Sequence, residues 1–167
     1  KNIEIAQHQG KQKFLLYGVT GSGKTQIYIE MALKARALGK QVLILVPEIV
    51  LTGQLVTSFK EYFTDDVAVI HSRLSVGERN DTFWRIRTKQ VGIIIGARSA
   101  LFAPFEDLGL IVMDEEHDPS YKQDESPRYH SHDIIEKMAE IYHATLIMGS
   151  ATPSLESYYK AQIGEYV

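Results

Sequence analysis

Short apolar runs punctuate the whole chain, and several are apolar at consecutive positions rather than alternate ones. They are FLLYG (Phe14–Gly18), QVLILV (Gln41–Val46), VAVIH (Val67–His71), VGIII (Val91–Ile95), LGLIVMD (Leu108–Asp114) and ATLIMG (Ala144–Gly149). A strand with one face in water alternates apolar and polar residues; a continuous apolar run is buried on both faces. The runs therefore predict strands of a parallel sheet with helices on either side.

The segments between them carry helical signals. Lys24–Leu38 sets Tyr28, Met31, Ala32, Ala35 and Leu38 on one face, and Gly39 supplies a stop. A second helix is expected over Thr52–Phe63. Ser75 and Glu78 have the spacing of a capping box, opening a third helix to about Arg87 on which Trp84 reads as core. A fourth spans Ser131–Tyr142, and Thr152 followed by Pro153 predicts the start of a fifth. Strand and helix alternate throughout, so the expected fold is α/β: three layers around a mainly parallel sheet. The polar stretch Asp118–His130 is expected to be an irregular functional loop.

Composition narrows the function. With 167 residues, 44% hydrophobic and 23% charged, the chain is long enough for one ordinary domain with a sizeable core. A net charge of −3 gives no broad basic footprint, so nucleic-acid contacts must be local. The chain has no cysteine, which excludes disulfides and thiolate zinc within it and fits a reducing compartment. No apolar run reaches the ~18 residues of a membrane span, and no membrane association is expected.

The run Gly18-Val19-Thr20-Gly21-Ser22-Gly23-Lys24-Thr25 matches the phosphate-loop pattern G-x-x-x-x-G-K-[ST]. Its glycines let the backbone turn tightly and aim N–H groups inward as an anion nest. The helix opening at Lys24 adds the positive end of its dipole. Lys24 can bridge the β- and γ-phosphates, and Thr25 offers a hydroxyl to Mg²⁺. ATP and Mg²⁺ are the expected ligands. A metal carboxylate is then required, and LIVMDEEH places Asp114 at a strand end, with Glu115 next to it to orient or deprotonate the attacking water. That pair points to hydrolysis. Glu116 receives no role. His117 reads either as a surface histidine or as a sensor of the γ-phosphate. GSATPS (Gly149–Ser154) follows the next apolar run, so Ser150 and Thr152 are expected beside Asp114 and His117, within reach of the imidazole.

DEEH, with GVTGSGKT before it and GSATPS after it, resembles the DExH group of helicase superfamily 2. VPEIVLTGQ (Val46–Gln54), HSRLSVGER (His71–Arg79), GARSALFAPF (Gly96–Phe105) and DEEHDPSYKQDESPRYHSHD (Asp114–Asp133) extend the likeness over nearly the whole chain, to the PriA family of primosomal replication-restart helicases. The resemblance implies a RecA-like P-loop lobe, the first of two. It implies ATP-driven 3′-to-5′ translocation, unwinding at stalled forks, and primosome assembly with single-stranded DNA-binding protein and primosome proteins. It implies a cytoplasmic protein. Lys24, Thr25, Asp114 and Glu115 carry over as ATP and Mg²⁺ residues; His117 and the GSAT segment carry over as the coupling to DNA. The whole of 1–167 is then one lobe of a longer protein, monomeric in isolation, with zinc expected only outside it. Gln7, Gln9 and Gln12 do not stand where the family's adenine-reading glutamine would. Ala97 and the pair Ser131-His132 replace the more usual Thr and Ala-Arg.

Single-stranded and forked DNA is thus the expected partner. Tyr121, Lys122, Arg128 and Tyr129 mix aromatics with cations in one loop, the composition that suits stacked bases and phosphates. Tyr121 is expected to stack on a base; the alternative is that Tyr121 and Tyr129 merely pin the loop. Thr52 and Gln54, at a helix start, and Arg98 and Ser99, after a strand, are further candidates for the DNA backbone. Rival readings are another superfamily 2 translocase, of recombination or restriction, and a nucleotide-binding module with little turnover.

Overall fold

Strands form where the consecutive apolar runs predict them. In the computed structural model, residues 3, 10, 12–19, 21–51 and 53–167 are described. Thr20 and Thr52, and with them Gln7 and Gln9, lie outside the described residues. The chain order is β1 (Lys13–Tyr17), α1 (Lys24–Ala37), β2 (Gln41–Leu45), α2 (Gln54–Phe63), β3 (Val67–Ile70), α3 (Val76–Arg87), β4 (Ile93–Gly96), β5 (Leu108–Met113), β6 (Lys122–Gln123), β7 (Tyr129–His130), α4 (Ser131–Tyr142), β8 (Thr145–Ser150) and α5 (Leu155–Gln162). Six strands make one parallel sheet in the order β1-β8-β5-β2-β4-β3, and β6 and β7 form a small antiparallel ribbon.

Successive residues of a strand face opposite sides, and both sides of this sheet are covered. Leu43, Leu45, Ile111, Met113, Leu146 and Met148 pack with Ile86 of α3 and with Ile135 and Ala139 of α4. Val42, Ile44, Ile93, Ile95, Val112 and Ile147 pack with Tyr28 and Ala32 of α1 and Phe59 of α2. Burial on two faces is why β2 is buried at every position.

The sheet order sets the site. β8 lies between β1 and β5, with Tyr17 opposite Ser150 and Met113 opposite Met148. The turns after β1 and β5 and the end of β8 therefore emerge side by side at one carboxyl edge.

Local signals hold in several places. Ser75 Oγ accepts from the Glu78 N–H while Glu78 returns a bond to the Ser75 N–H, a complete capping box. Gly39 sits at φ +71°, the left-handed turn that ends α1. Other expectations are corrected. Leu38 is 76% exposed, because α1 ends before it and Gly39 turns the chain away. Trp84 is 64% exposed, because α3 covers the edge strand β3 and buries only Ile86. The last helix starts at Leu155, capped by Ser154 accepting from the Ser157 N–H, and not at Thr152-Pro153. Asp118–His130 is not irregular: it holds a 3-10 turn over Pro119–Tyr121 and the β6–β7 ribbon. Among the described residues, no helix is long and apolar enough to cross a membrane.

Candidate nucleotide and nucleic-acid site

The glycine-rich turn leaves β1 with the Gly18 N–H donating to the Ser150 carbonyl at 3.1 Å, and closes when the Ser22 N–H reaches the Val19 carbonyl at 3.1 Å. Gly21 and Gly23 adopt φ of +78° and +88°, a region that any side chain would strain. α1 opens at Lys24 with no side-chain cap and no acidic residue in its first turn, so its N–H groups face an anion without competition. Lys24 is buried, and its ammonium donates to the Gly18 and Val19 carbonyls at 2.7 and 3.4 Å. Gly21, Gly23, Lys24, Thr25, Asp114 and Glu115 line one cleft of about 460 Å³, together with Gln54. Gln54, expected at a DNA backbone, stands on this cleft because α2 begins beside the phosphate loop.

Asp114 is held from three directions. Its N–H donates to the Leu45 carbonyl at 2.9 Å, the Tyr28 hydroxyl donates to Oδ1 at 2.9 Å, and the Tyr121 hydroxyl donates to its carbonyl at 2.7 Å. Burial pushes the Asp114 carboxyl up from its ordinary value, against the hydrogen bonds of Tyr28 and the Glu115 N–H and the charge of Lys24. Burial and the Asp114 charge push the Tyr28 phenol far up, so it stays a donor. Gly149 makes this approach possible: a Cβ there would lie 1.7 Å from the Tyr28 hydroxyl.

The turn after β5 then tightens. Glu115 has φ +47°, a costly conformation for a non-glycine residue. The Glu116 N–H donates to the Gly149 carbonyl at 3.0 Å, tying the turn to β8. His117 Nδ1 lies 2.7 Å from Ser150 Oγ and 3.8 Å from a Glu115 oxygen. Thr152 does not reach the imidazole with its side chain; its N–H donates to Ser150 Oγ at 3.1 Å. Sequence reasoning assigned Glu116 nothing. It is 1% exposed and accepts from Ser154, Ser157 and His132. Although burial raises its pKa, those donors hold it down at about 2. Glu116 and His132 were missed because their partners come from other elements. Tyr28 carried a signal, a polar-tipped side chain one turn beyond Lys24, but its spacing reads equally as core.

Nucleic-acid candidates divide. Tyr121 is 1% exposed, which corrects the expectation that it stacks on a base: it anchors the loop to Asp114 instead. Ser131 Oγ donates to its carbonyl at 2.7 Å. Arg98 Nη1 donates to the carbonyls on either side of Tyr121, Ser120 at 3.1 Å and Lys122 at 2.6 Å. The Arg98 guanidinium also stands 5.8 Å from the Tyr129 ring centre, and Phe102 meets that ring edge-on at 5.5 Å. Arg79, Arg98, Ser99, Phe102 and Tyr129 line a groove of about 590 Å³. Lys122 on β6 and Arg128 in the β6–β7 connection are exposed; Lys122 pairs with Asp124 at 3.3 Å and Arg128 Nε donates to the Asp124 carbonyl at 3.0 Å.

The donor set fits a magnesium nucleotide. Mg²⁺ is usually held by one or two carboxylates with phosphate oxygens and water, and here one hydroxyl and one carboxylate share a cleft with an uncapped helix N-terminus. Among the described residues no cluster of three or more His, Cys, Asp or Glu side chains offers an all-protein metal site.

Comparison with known proteins agrees in kind. A family described as DEAD/DEAH box helicase matches residues 2–161. The chain is 55% identical over 153 residues to replication restart protein PriA of Bacillus subtilis (strain 168), covering 92% of this chain and 19% of that protein. It is 50% identical over 163 residues to PriA of Haemophilus influenzae, covering 98% of this chain and 22% of that protein. The chain thus spans about a fifth of the length of these curated relatives. In fold it resembles RecG bound to a three-way DNA junction, with a TM-score of 0.66 at 23% identity over 99% of this chain and 22% of that one. The yeast DEAD-box splicing factor Prp28 superposes with a TM-score of 0.64 at 16% identity over 90% of this chain and 39% of that one.

Proposed function

Because the chain belongs to the DEAD/DEAH box helicase family, we propose that it is the first RecA-like lobe of a PriA-type replication-restart helicase. It couples ATP hydrolysis to 3′-to-5′ movement on DNA and to unwinding at stalled forks. The observation that carries this reading is the meeting of Lys24, Thr25, Asp114 and Glu115 on one cleft, with His117 and Ser150 in contact beside it.

The backbone N–H groups from Gly21 to Lys24 cradle the phosphates, and the Lys24 ammonium leaves its loop carbonyls for the β- and γ-phosphate oxygens. Thr25 and Asp114, on one cleft, would hold a Mg²⁺ ion, which would supply charge neutralisation for the transferred phosphoryl group. Tyr28 donates to Oδ1 of Asp114 and so fixes the carboxylate that lines the cleft. Glu115 orients or deprotonates the attacking water. His117, through Ser150, reports the state of that site to the Ser150–Ser154 segment.

On the other side of the turn, Tyr129, Arg98 and Ser99, with Lys122 and Arg128, contact single-stranded DNA. Arg98 grips the carbonyls flanking Tyr121, and Tyr121 grips the carbonyl of Asp114. A contact made at Tyr129 or Arg98 thereby reaches the metal carboxylate. Single-stranded DNA-binding protein and primosome proteins are the partners this role implies.

One observation favours little turnover by this chain alone: among the described residues, no arginine lines the Lys24–Asp114 cleft. Transition-state charge in such enzymes is met by an arginine from a second lobe or partner, worth roughly 10³–10⁵ in rate. The test is ATP hydrolysis by the 167-residue chain and by the full-length protein, with and without single-stranded and forked DNA. DNA-stimulated turnover by the full-length protein alone is expected. No stimulation in either would end the helicase reading.

A further inference from the structure

The metal-bearing turn holds the Ser150–Ser154 segment at both ends. His117 takes one end, 2.7 Å from Ser150 Oγ. Its neighbour Glu116 takes the other: Oε1 accepts from the Ser154 N–H at 2.7 Å, and Oε2 accepts from the hydroxyls of Ser154 at 3.0 Å and Ser157 at 2.9 Å. The same Oε2 accepts from His132 Nε2 at 3.0 Å, and the other nitrogen of that ring lies 2.9 Å from His130 Nδ1 in β7. One buried carboxylate thus joins the turn after β5 to the first turn of α5, to the start of α4, and through His130 to the β6–β7 ribbon.

Burying an ionised carboxylate costs several kcal/mol, and apolar packing fills such a position more cheaply. The cost is met here by four donors, all drawn from segments outside the turn. Their removal would leave the turn fixed to β8 only by the Glu116 N–H bond to Gly149 and by the His117–Ser150 contact. Ser150 is already held in β8, opposite Tyr17 and with its carbonyl bonded to the Gly18 N–H, so the carboxylate's contribution falls on the Ser154 end of the segment and on the turn that carries His117.

We infer that Glu116 is a positioning residue: it locks the Ser150–Ser154 segment to the metal-bearing turn and so keeps His117 against Ser150 during turnover. Glu116 is not among the described residues that line the Lys24–Asp114 cleft, and it acts through Ser154 and Ser157. The inference rests on the hydrolytic reading given above and names a further residue that this reading requires.

The experiment uses the full-length protein with ATP and a single-stranded oligonucleotide, comparing wild type, Glu116→Ala, Glu116→Gln and Ser157→Ala. For Glu116→Ala, kcat of DNA-stimulated hydrolysis is expected to fall roughly 10- to 100-fold, with KM for ATP within about threefold because the phosphate contacts are untouched. Glu116→Gln, whose amide oxygen still accepts from the Ser154 N–H, is expected to recover part of the loss. A merely structural role would instead move kcat, KM and the melting temperature together, with no recovery by glutamine. That pattern, or wild-type kcat in Glu116→Ala, overturns the inference. Where Glu116→Ala does not fold, Ser157→Ala decides: a several-fold lower kcat at unchanged KM supports the lock, and an unchanged kcat overturns it. Absence of hydrolysis in the wild type would instead count against the functional reading itself.

Discussion

The Tyr28 hydroxyl donates to Oδ1 of Asp114 across 2.9 Å, joining α1, which follows the glycine-rich turn, to the turn after β5. These residues are 86 positions apart in sequence. Gly149 stands against both, and no other residue would leave room for the pair.

Tyr28→Phe keeps the buried ring and removes only this donor. The Asp114 carboxylate is then free to rotate, and Mg²⁺-dependent nucleotide binding is expected to weaken roughly 10- to 100-fold, as when a second-layer partner of a metal ligand is lost. A Mg²⁺ titration of fluorescent-nucleotide binding measures this, and an unchanged midpoint would show that the bond does not orient Asp114.

Tyr121 separates packing from signalling. Tyr121→Ala removes a buried aromatic and is expected to cost about 3–5 kcal/mol of stability. Tyr121→Phe keeps the packing and loses the bond to the Asp114 carbonyl, a change of about 0.5–1.5 kcal/mol. The phenylalanine variant is expected to retain basal ATP hydrolysis and lose most of its stimulation by DNA. Urea unfolding and paired ATPase assays distinguish the two effects; full stimulation in Tyr121→Phe would remove Tyr121 from the coupling path.

Tyr129 is the better candidate for a base platform, since its ring is part-exposed between Arg98 and Phe102. Tyr129→Ala is expected to weaken single-stranded DNA binding by about 1–3 kcal/mol, the worth of one stacked base. Fluorescence anisotropy with an unstructured oligonucleotide reads this directly. Double-stranded DNA of equal length serves as the control, and an equal loss there would point to a lost surface charge arrangement rather than to stacking.

Glu136 supplies a pH prediction away from the nucleotide cleft. Burial raises its carboxyl, but the hydrogen bonds from Lys160 and Tyr166 and the charges of Lys160 and Lys13 outweigh this and leave it below its ordinary value. A carboxylate whose pKa is lower folded than unfolded contributes stability above the unfolded value, and that contribution is lost as pH falls through the folded value. Wild-type stability is therefore expected to decline as pH drops below about 4.5. Glu136→Gln is expected to be less stable at neutral pH and to lose less over that acid range. Urea midpoints from pH 3 to 7 give the comparison, and parallel curves for the two proteins would contradict it.

Much of the architecture was legible in local sequence. Val42 to Leu45 are apolar at every step, and a strand of that kind has nowhere to go but the middle of a covered sheet. Gly21 and Gly23 carry their positive-φ conformation in their own residue type, so the tight turn that opens α1 at Lys24 was readable from spacing alone. The Ser75–Glu78 capping box was readable for the same reason, since both partners lie within one turn. Local pattern does not carry exposure or long-range partnership. Tyr121 and Tyr129 sit in one polar stretch with similar neighbours, yet the first is sealed against Asp114 and the second lies part-exposed beside Arg98. Trp84 faces water only because α3 covers a sheet edge. Glu116 reads as one acid among several until Ser154, Ser157 and His132 close over it. Periodicity reports what a segment prefers; which distant element packs upon it is settled by the sheet order β1-β8-β5-β2-β4-β3, a property of the whole chain.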